Sequence, residues 1–246
     1  MSVLEVNGLS GGYGKTPIVW DVTMKAKVGQ VVTIIGPNGA GKSTFMKALF
    51  GLIAVSGGSV VLDGTNVAGL APHLLARAGI AYVPQVDNIF VSMSIKENLE
   101  IGGFIRKRGL PDRINEVLEI FPDLKKAEAR KGGELSGGQR NMLGMARALM
   151  SDPKVLLLDE PTAGLSPIYV DVVWDQVGRI AATGTSIVVV EQNVDRAIAN
   201  SEWVYVLVAG RNRLDGSAKE VAKLNLGEIF LGATAAAKPG KSEVSA

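Results

Sequence analysis

The sequence predicts an α/β fold: a mostly parallel sheet covered by helices, an antiparallel β subdomain at one edge and an inserted α-helical subdomain. Three observations carry this expectation. Short Val- and Ile-rich runs at 31–35, 80–83, 155–158, 187–190 and 204–208 alternate with longer helical patterns, the signature of parallel strands buried on both faces. The opening is different, because 3–6, 19–24 and 60–63 look like strands joined by glycine-rich turns with no helix between them. From about residue 86 to 150 the strand signal disappears and helical patterns take over.

Each element has a local cause. The strand at 31–35 runs into GPNGAGKS at 36–43, which fits G-x-x-x-x-G-K-[ST] at the strand-to-helix turn that supports such a match. The expected core is therefore that of a P-loop NTPase. Its candidate nucleotide cradle is Gly36, Pro37, Asn38, Gly39, Ala40, Gly41, Lys42, Ser43 and Thr44. Backbone N–H groups converge there on one anion, and the next helix points its positive end at it. Lys42 is expected to reach the β and γ phosphates, and Ser43 to offer its hydroxyl to Mg²⁺. The only histidine, His73, follows Pro72 in a helical segment and is expected at the surface.

In the strand-free region, Ser94 with Glu97 forms an S-x-x-E capping-box pattern, so a helix should begin there. Pro111 suits a first helical turn. Ile114, Val117, Leu118 and Phe121 follow at helical spacing, and that segment stops before Pro122. Further on, Ser136, Gly137, Gly138 and Gln139 precede Met142, Met145, Ala146 and Leu149 at helical spacing. Ser136 can cap this helix, and the two glycines let a phosphate approach its positive end, making a second candidate anion site. A flexible loop before a helix is the plainer alternative. The strand at 155–158 ends in Asp159 and Glu160, two carboxylates at the sheet's carboxyl edge. Asp159 is expected to hold Mg²⁺, directly or through water, and Glu160 to orient the attacking water or take its proton. A helix cap ahead of Pro161 and Thr162 is the alternative there. The stretch 233–246, rich in Ala, Lys, Gly and Ser, has little to bury and is expected to be a tail outside a domain spanning 2–232.

Composition removes several function classes. With 246 residues the chain can bury a sizeable core. Its 26 Lys and Arg against 24 Asp and Glu leave +2, with no basic block, so nucleic acid is not an expected partner. The absence of Cys excludes disulfides, thiolate metal sites and a cysteine nucleophile. No secretory signal is expected from MSVLEVNGL. The apolar runs are too short to cross a bilayer, so another chain would do the crossing in a membrane process.

GPNGAGKS, LSGGQ at 135–139 and LLLDEPT at 156–162, in this order, resemble the ATP-binding subunit of an ABC transporter over residues 2–232. The resemblance implies an ABC ATPase using ATP and Mg²⁺. It also implies a head-to-tail dimer in which the phosphate loop of one subunit and the LSGGQ of the other enclose each ATP. Tyr13 matches the aromatic that stacks on adenine. Gln85 matches the glutamine that senses Mg²⁺ and the membrane subunit. Filling a turn and ending a strand are the plainer roles for these two. Where family members often place a histidine against the γ-phosphate, this chain has Gln192, and where many carry an aspartate it has Ser166. A glutamine amide can donate to the γ-phosphate or bind water but is no base near pH 7, so catalysis falls to Glu160.

Glu191-Gln192-Asn193, with Ile89-Phe90 after Gln85 and the compact length, is similar to one of the two ATPase subunits of branched-chain amino acid importers and their urea or amide relatives. That implies a second, non-identical ABC ATPase subunit, two transmembrane permease subunits and a separate substrate-binding protein. It places the chain at the cytoplasmic face of the inner membrane. The alternatives are a soluble ABC ATPase acting on ribosomes or DNA, and a small-molecule kinase with the same loop. A monomeric kinase has no need for LSGGQ.

Overall fold

Strand β3 (Val31–Ile35) is buried at every position, which fixes it as an interior strand covered on both sides. In the computed structural model, which describes residues 2–14 and 16–231, β3 lies in a six-stranded sheet. The expected tail at 233–246 lies outside the described residues. The neighbours of β3 are β8 (Ser186–Val190) and β9 (Trp203–Val208), both parallel to it. Beyond β8 come β7 (Val155–Asp159) and β6 (Ile80–Val83), again parallel. β10 (Arg211–Ser217) closes the other edge antiparallel to β9, giving the order β10-β9-β3-β8-β7-β6.

The apolar runs are continuous because the pleat sends alternate residues to opposite faces and both faces are covered. Val155, Leu157, Val188, Val190, Val32 and Ile34 face one core, and Leu156, Leu158, Ile187, Val189, Val31 and Ile35 face the other. Each such fully buried aliphatic side chain contributes about 1.5–3 kcal/mol.

The first core is shared with a four-stranded antiparallel sheet in the order β2-β1-β4-β5, formed by β1 (Ser2–Tyr13), β2 (Thr16–Lys27), β4 (Ala54–Leu62) and β5 (Thr65–Asn66). In β2, Val22, Met24 and Ala26 are buried while Asp21, Thr23, Lys25 and Lys27 are exposed, so only one face is packed. These strands are longer than the sequence pattern predicts. Their glycines lie within bulged strands rather than in turns, because neighbouring backbones come close: a Cβ on Gly12 would stand 2.1 Å from the Thr16 carbonyl oxygen. Helices α1 (Lys42–Leu49) and α2 (Pro72–Ala78) also meet this core, and His73 is exposed.

Between β6 and β7 the described residues form helices joined by loops, with one isolated bridge, Ser94 with Lys131, and no strand. The helices are α3 (Ile95–Gly102), α4 (Leu110–Ile120), α5 (Pro122–Lys125) and α6 (Gly137–Leu149), with a 3-10 turn at Gly132–Glu134. The capping box at Ser94 and Glu97 is made in both directions, and Pro111 sits in the first turn of α4. Ile95, Leu99, Val117, Leu118, Met142 and Met145 join the second core, to which α7 (Pro167–Ala182) adds Val173, Val177 and Ile180. Three short helices, α8 (Val194–Ala199), α9 (Ala218–Val221) and α10 (Leu226–Phe230), complete the described residues. No helix among them is long and apolar enough to cross a membrane.

Candidate active site

Three adjacent strands, β3, β8 and β7, deliver their carboxyl ends to one place. From β3 the chain turns at Gly36, where a Cβ would meet the Leu207 carbonyl oxygen at 2.0 Å, so only glycine fits this approach. The turn ends at Gly41, left-handed at φ 92, from which α1 starts without a side-chain cap. An uncapped helix start leaves its first N–H groups for an anion. Lys42 is only 5% exposed. Its Nζ donates to the carbonyl oxygens of Gly36 at 2.8 Å and Pro37 at 3.1 Å. Burial lowers its pKa from the usual lysine value, opposed by the negative charges of Glu160, Asp159 and Glu191.

β7 supplies Asp159, and both of its carboxylate oxygens are engaged. Ser43 Oγ donates to Oδ1 at 2.9 Å, and the Tyr82 hydroxyl donates to Oδ2 at 3.0 Å. Burial and then the Asp159 charge push the Tyr82 phenol well above its ordinary pKa, so it stays a donor. A hydroxyl and a carboxylate held at hydrogen-bond distance are the hard oxygen donors that suit Mg²⁺. Glu160, 8% exposed, has a left-handed backbone with φ 49, sparsely populated for a residue with a Cβ. Its N–H donates to the Val190 carbonyl at 2.9 Å, and its own carbonyl accepts from the Ala163 N–H at 3.1 Å. The side chain is held by two amides: Gln85 Nε2 donates to Oε2 at 3.0 Å and Gln192 Nε2 to the same oxygen at 2.6 Å.

Asn38, Gly39, Ala40, Gly41, Lys42, Ser43, Thr44, Glu160, Gln192 and Ile18 line one cavity of about 360 Å³. Tyr13, 52% exposed, and Ser136–Gln139 are not among its lining residues. A larger cavity of about 650 Å³ between β2 and the β9–β10 hairpin is lined by Trp20, Trp203 and Tyr205 and holds none of these groups. At the start of α6, the Gln139 N–H donates to Ser136 Oγ at 3.3 Å and the Ser136 N–H donates to Gln139 Oε1 at 3.0 Å. The Gln139 side-chain oxygen thus completes a capping box. Ser166 stands at the N-cap of α7 without a side-chain cap bond.

Two neighbours of the site have no site role in the sequence pattern, Tyr82 and Glu191. Tyr82 lies three residues before Gln85, on the strand beside β7, and strand alternation is the one signal that could have aimed it at Asp159. Glu191 is 2% exposed. Its Oε1 accepts from the Thr162 N–H at 3.1 Å and the Thr162 hydroxyl at 2.7 Å, and its Oε2 accepts from the Gln192 N–H at 3.1 Å. It staples the end of β8 to the turn after Glu160. Burial raises its pKa, against those hydrogen bonds.

The family model described as ABC transporter matches residues 19–163. The chain belongs to the ABC transporter family. This ABC ATPase is 42% identical over 221 residues to the probable branched-chain amino acid transport ATP-binding protein LivF of Archaeoglobus fulgidus, covering 89% of the chain and 94% of the relative. It is 39% identical over 210 residues to the high-affinity branched-chain amino acid transport ATP-binding protein BraG of Pseudomonas aeruginosa, covering 85% and 90%. A solved structure of the ADP conformation of an ATP-binding cassette of an ABC transporter superposes with a TM-score of 0.84 at 28% identity, covering 94% of this chain and 99% of that one. ATP with Mg²⁺ is accordingly the cofactor pair of this ABC ATPase.

Proposed function

We propose that this chain is the ATP-hydrolysing subunit of an ABC importer for branched-chain or related amino acids, and that the side chains gathered at the ends of β3, β7 and β8 carry the hydrolysis. The carrying observation is the Glu160 carboxylate, lining the phosphate-loop cavity and held by Gln85 and Gln192. Lys42 and the amides of residues 36–44 grip the β and γ phosphates. Ser43 and Asp159 hold Mg²⁺, with Gln85 beside them, and the ion when bound neutralises charge on the phosphate oxygens. Glu160 orients the attacking water or takes its proton, while Gln192 donates to the γ-phosphate or to that water. Tyr13 stacks on adenine. Ser136, Gly137, Gly138 and Gln139 serve the nucleotide held on the loop of a second, non-identical ABC ATPase subunit. Their absence from the lining of this chain's own cavity is consistent with that role.

The cargo assignment is supported by the names of the two bacterial and archaeal relatives. Such an importer requires two permease subunits, a separate substrate-binding protein and a place at the cytoplasmic face of the inner membrane. A groove of about 270 Å³, lined in part by Phe50, Phe90, Ile101 and Phe104, lies next to the loop after Gln85 and suits a short amphipathic permease helix. The domain spans 2–232, with the helical subdomain at about 86–150 as an insertion.

Glu160→Gln is the deciding variant. It should bind ATP and retain it without releasing phosphate, and normal turnover would remove Glu160 from its role. Copurification with multi-span membrane proteins and loss of labelled leucine uptake on deleting the chain test the transport assignment. Salt-sensitive association with RNA or DNA instead would point to a ribosome or DNA partner.

A further inference from the structure

Three asparagine side chains outside the phosphate-loop cavity form a network behind Glu160. Asn141, on α6 just beyond Gln139, donates from Nδ2 to the Pro161 carbonyl oxygen at 2.8 Å, and its Oδ1 accepts from Asn88 Nδ2 at 3.0 Å. Asn88 is 7% exposed. Asn98, fully buried, accepts from the Phe90 N–H at 2.8 Å and donates to the carbonyls of Phe90 and Ser94 at 2.9 Å each, pinning the segment that carries Asn88 to α3. The Gln85 bond to Glu160 closes a ring: Gln85, Glu160, Pro161, Asn141, Asn88 and back along the chain to Gln85.

The helix side shows an independent mark of this packing. A Cβ on Gly144 would lie 3.0 Å from Asn88 Cγ and 3.1 Å from Asn88 Nδ2. Glycine within a helix is destabilising relative to alanine, so a close approach by Asn88 gives this one a local reason.

We propose that Asn141 is a positioning residue that ties the Ser136 end of α6 to the Glu160 turn through Asn88, so that the loop after Gln85, the Ser136 helix and Glu160 move as one unit. The assignment rests on Glu160 acting on the attacking water. An amide suits the position because it donates to Pro161 and accepts from Asn88 at once, which neither alanine nor an ionised aspartate can do. Asn88 is buried and Asn141 half-buried, so an amide left without its partner there is costly, and the two side chains depend on each other.

The test compares Asn141→Ala, Asn141→Asp, Asn88→Ala and the double alanine variant in the full chain assembled with its cognate partner ATPase, by ATP affinity, single-turnover hydrolysis and hydrogen exchange. Expected are ATP affinities within about twofold of the parent and hydrolysis slowed by about tenfold or more, the scale of a misplaced reacting group. The double variant should be no slower than the slower single, and nucleotide-induced protection should be lost together at 86–93 and 137–142. Gly144→Ala, which favours the helix while crowding Asn88, should give the same split between affinity and rate without loss of folding. Parent-like hydrolysis in the single variants, effects that multiply in the double, or affinity falling in step with rate would overturn the proposal. Lys42→Ala run in parallel separates the two levels. If that variant loses ATP binding while the asparagine variants behave as the parent, the ring alone is wrong; if it binds and hydrolyses normally, the site assignment itself is wrong.

Discussion

Asp159 receives two donors, and the one from Tyr82 makes a prediction at the scale of a single hydroxyl. Tyr82→Phe keeps the ring that stacks on Phe50 at 5.5 Å and removes only the bond to Oδ2. Loss of such a supporting contact costs about tenfold or more in metal affinity, so Mg²⁺ titrated by calorimetry with ATP present should bind more weakly by that factor. Lys42→Ala should weaken ATP binding by about tenfold to a hundredfold, the worth of a charge-assisted bond to phosphate. Glu191 has a pH consequence. Its folded pKa is raised, so the folded chain holds a proton that the unfolded chain releases near the ordinary carboxylate value of about 4.3. That contribution to stability is fully present below the ordinary value and is lost as pH rises through the elevated one. Urea midpoints measured across this window should slope downward for the parent, and Glu191→Gln should flatten the slope.

Among the elements, the Ser94 capping box begins α3, so Ser94→Ala should lower stability by about 1 kcal/mol, read from urea unfolding. This helix start was legible because a cap is a local pattern. The five parallel strands were legible for a similar reason: cover on both faces of the sheet leaves a near-continuous apolar run, as in β7. β10 escaped, because its Arg211, Arg213 and Asp215 alternate toward solvent and the RNRLDG run reads as a polar loop. The full lengths of β1 and β4 escaped too, since their glycines answer to neighbouring backbones far along the chain. Within the site, the phosphate loop and the Asp159-Glu160 pair announce themselves through spacing. Tyr82, Glu191 and Asn141 are fixed by cross-strand register and by a helix meeting a turn, which spacing does not encode.

For the molecule as a whole, the proposed arrangement requires a mate. Glu160→Gln mixed with its cognate partner ATPase, ATP and Mg²⁺ should elute as a stable dimer, and the same mixture without nucleotide should elute as separate chains. A partner with its own serine of LSGGQ replaced should weaken that dimer, because the seal over this chain's nucleotide comes from the opposite subunit. The overall stability of the fold also bears the mark of one torsion. Glu160 sits at φ 49, where every side chain with a Cβ is penalised and glycine is not. At this bend just past β7, a glycine replacement should therefore melt at a higher temperature than an alanine one, the reverse of the order expected within the strand itself. The acid is retained at the expense of ease in the backbone that carries it.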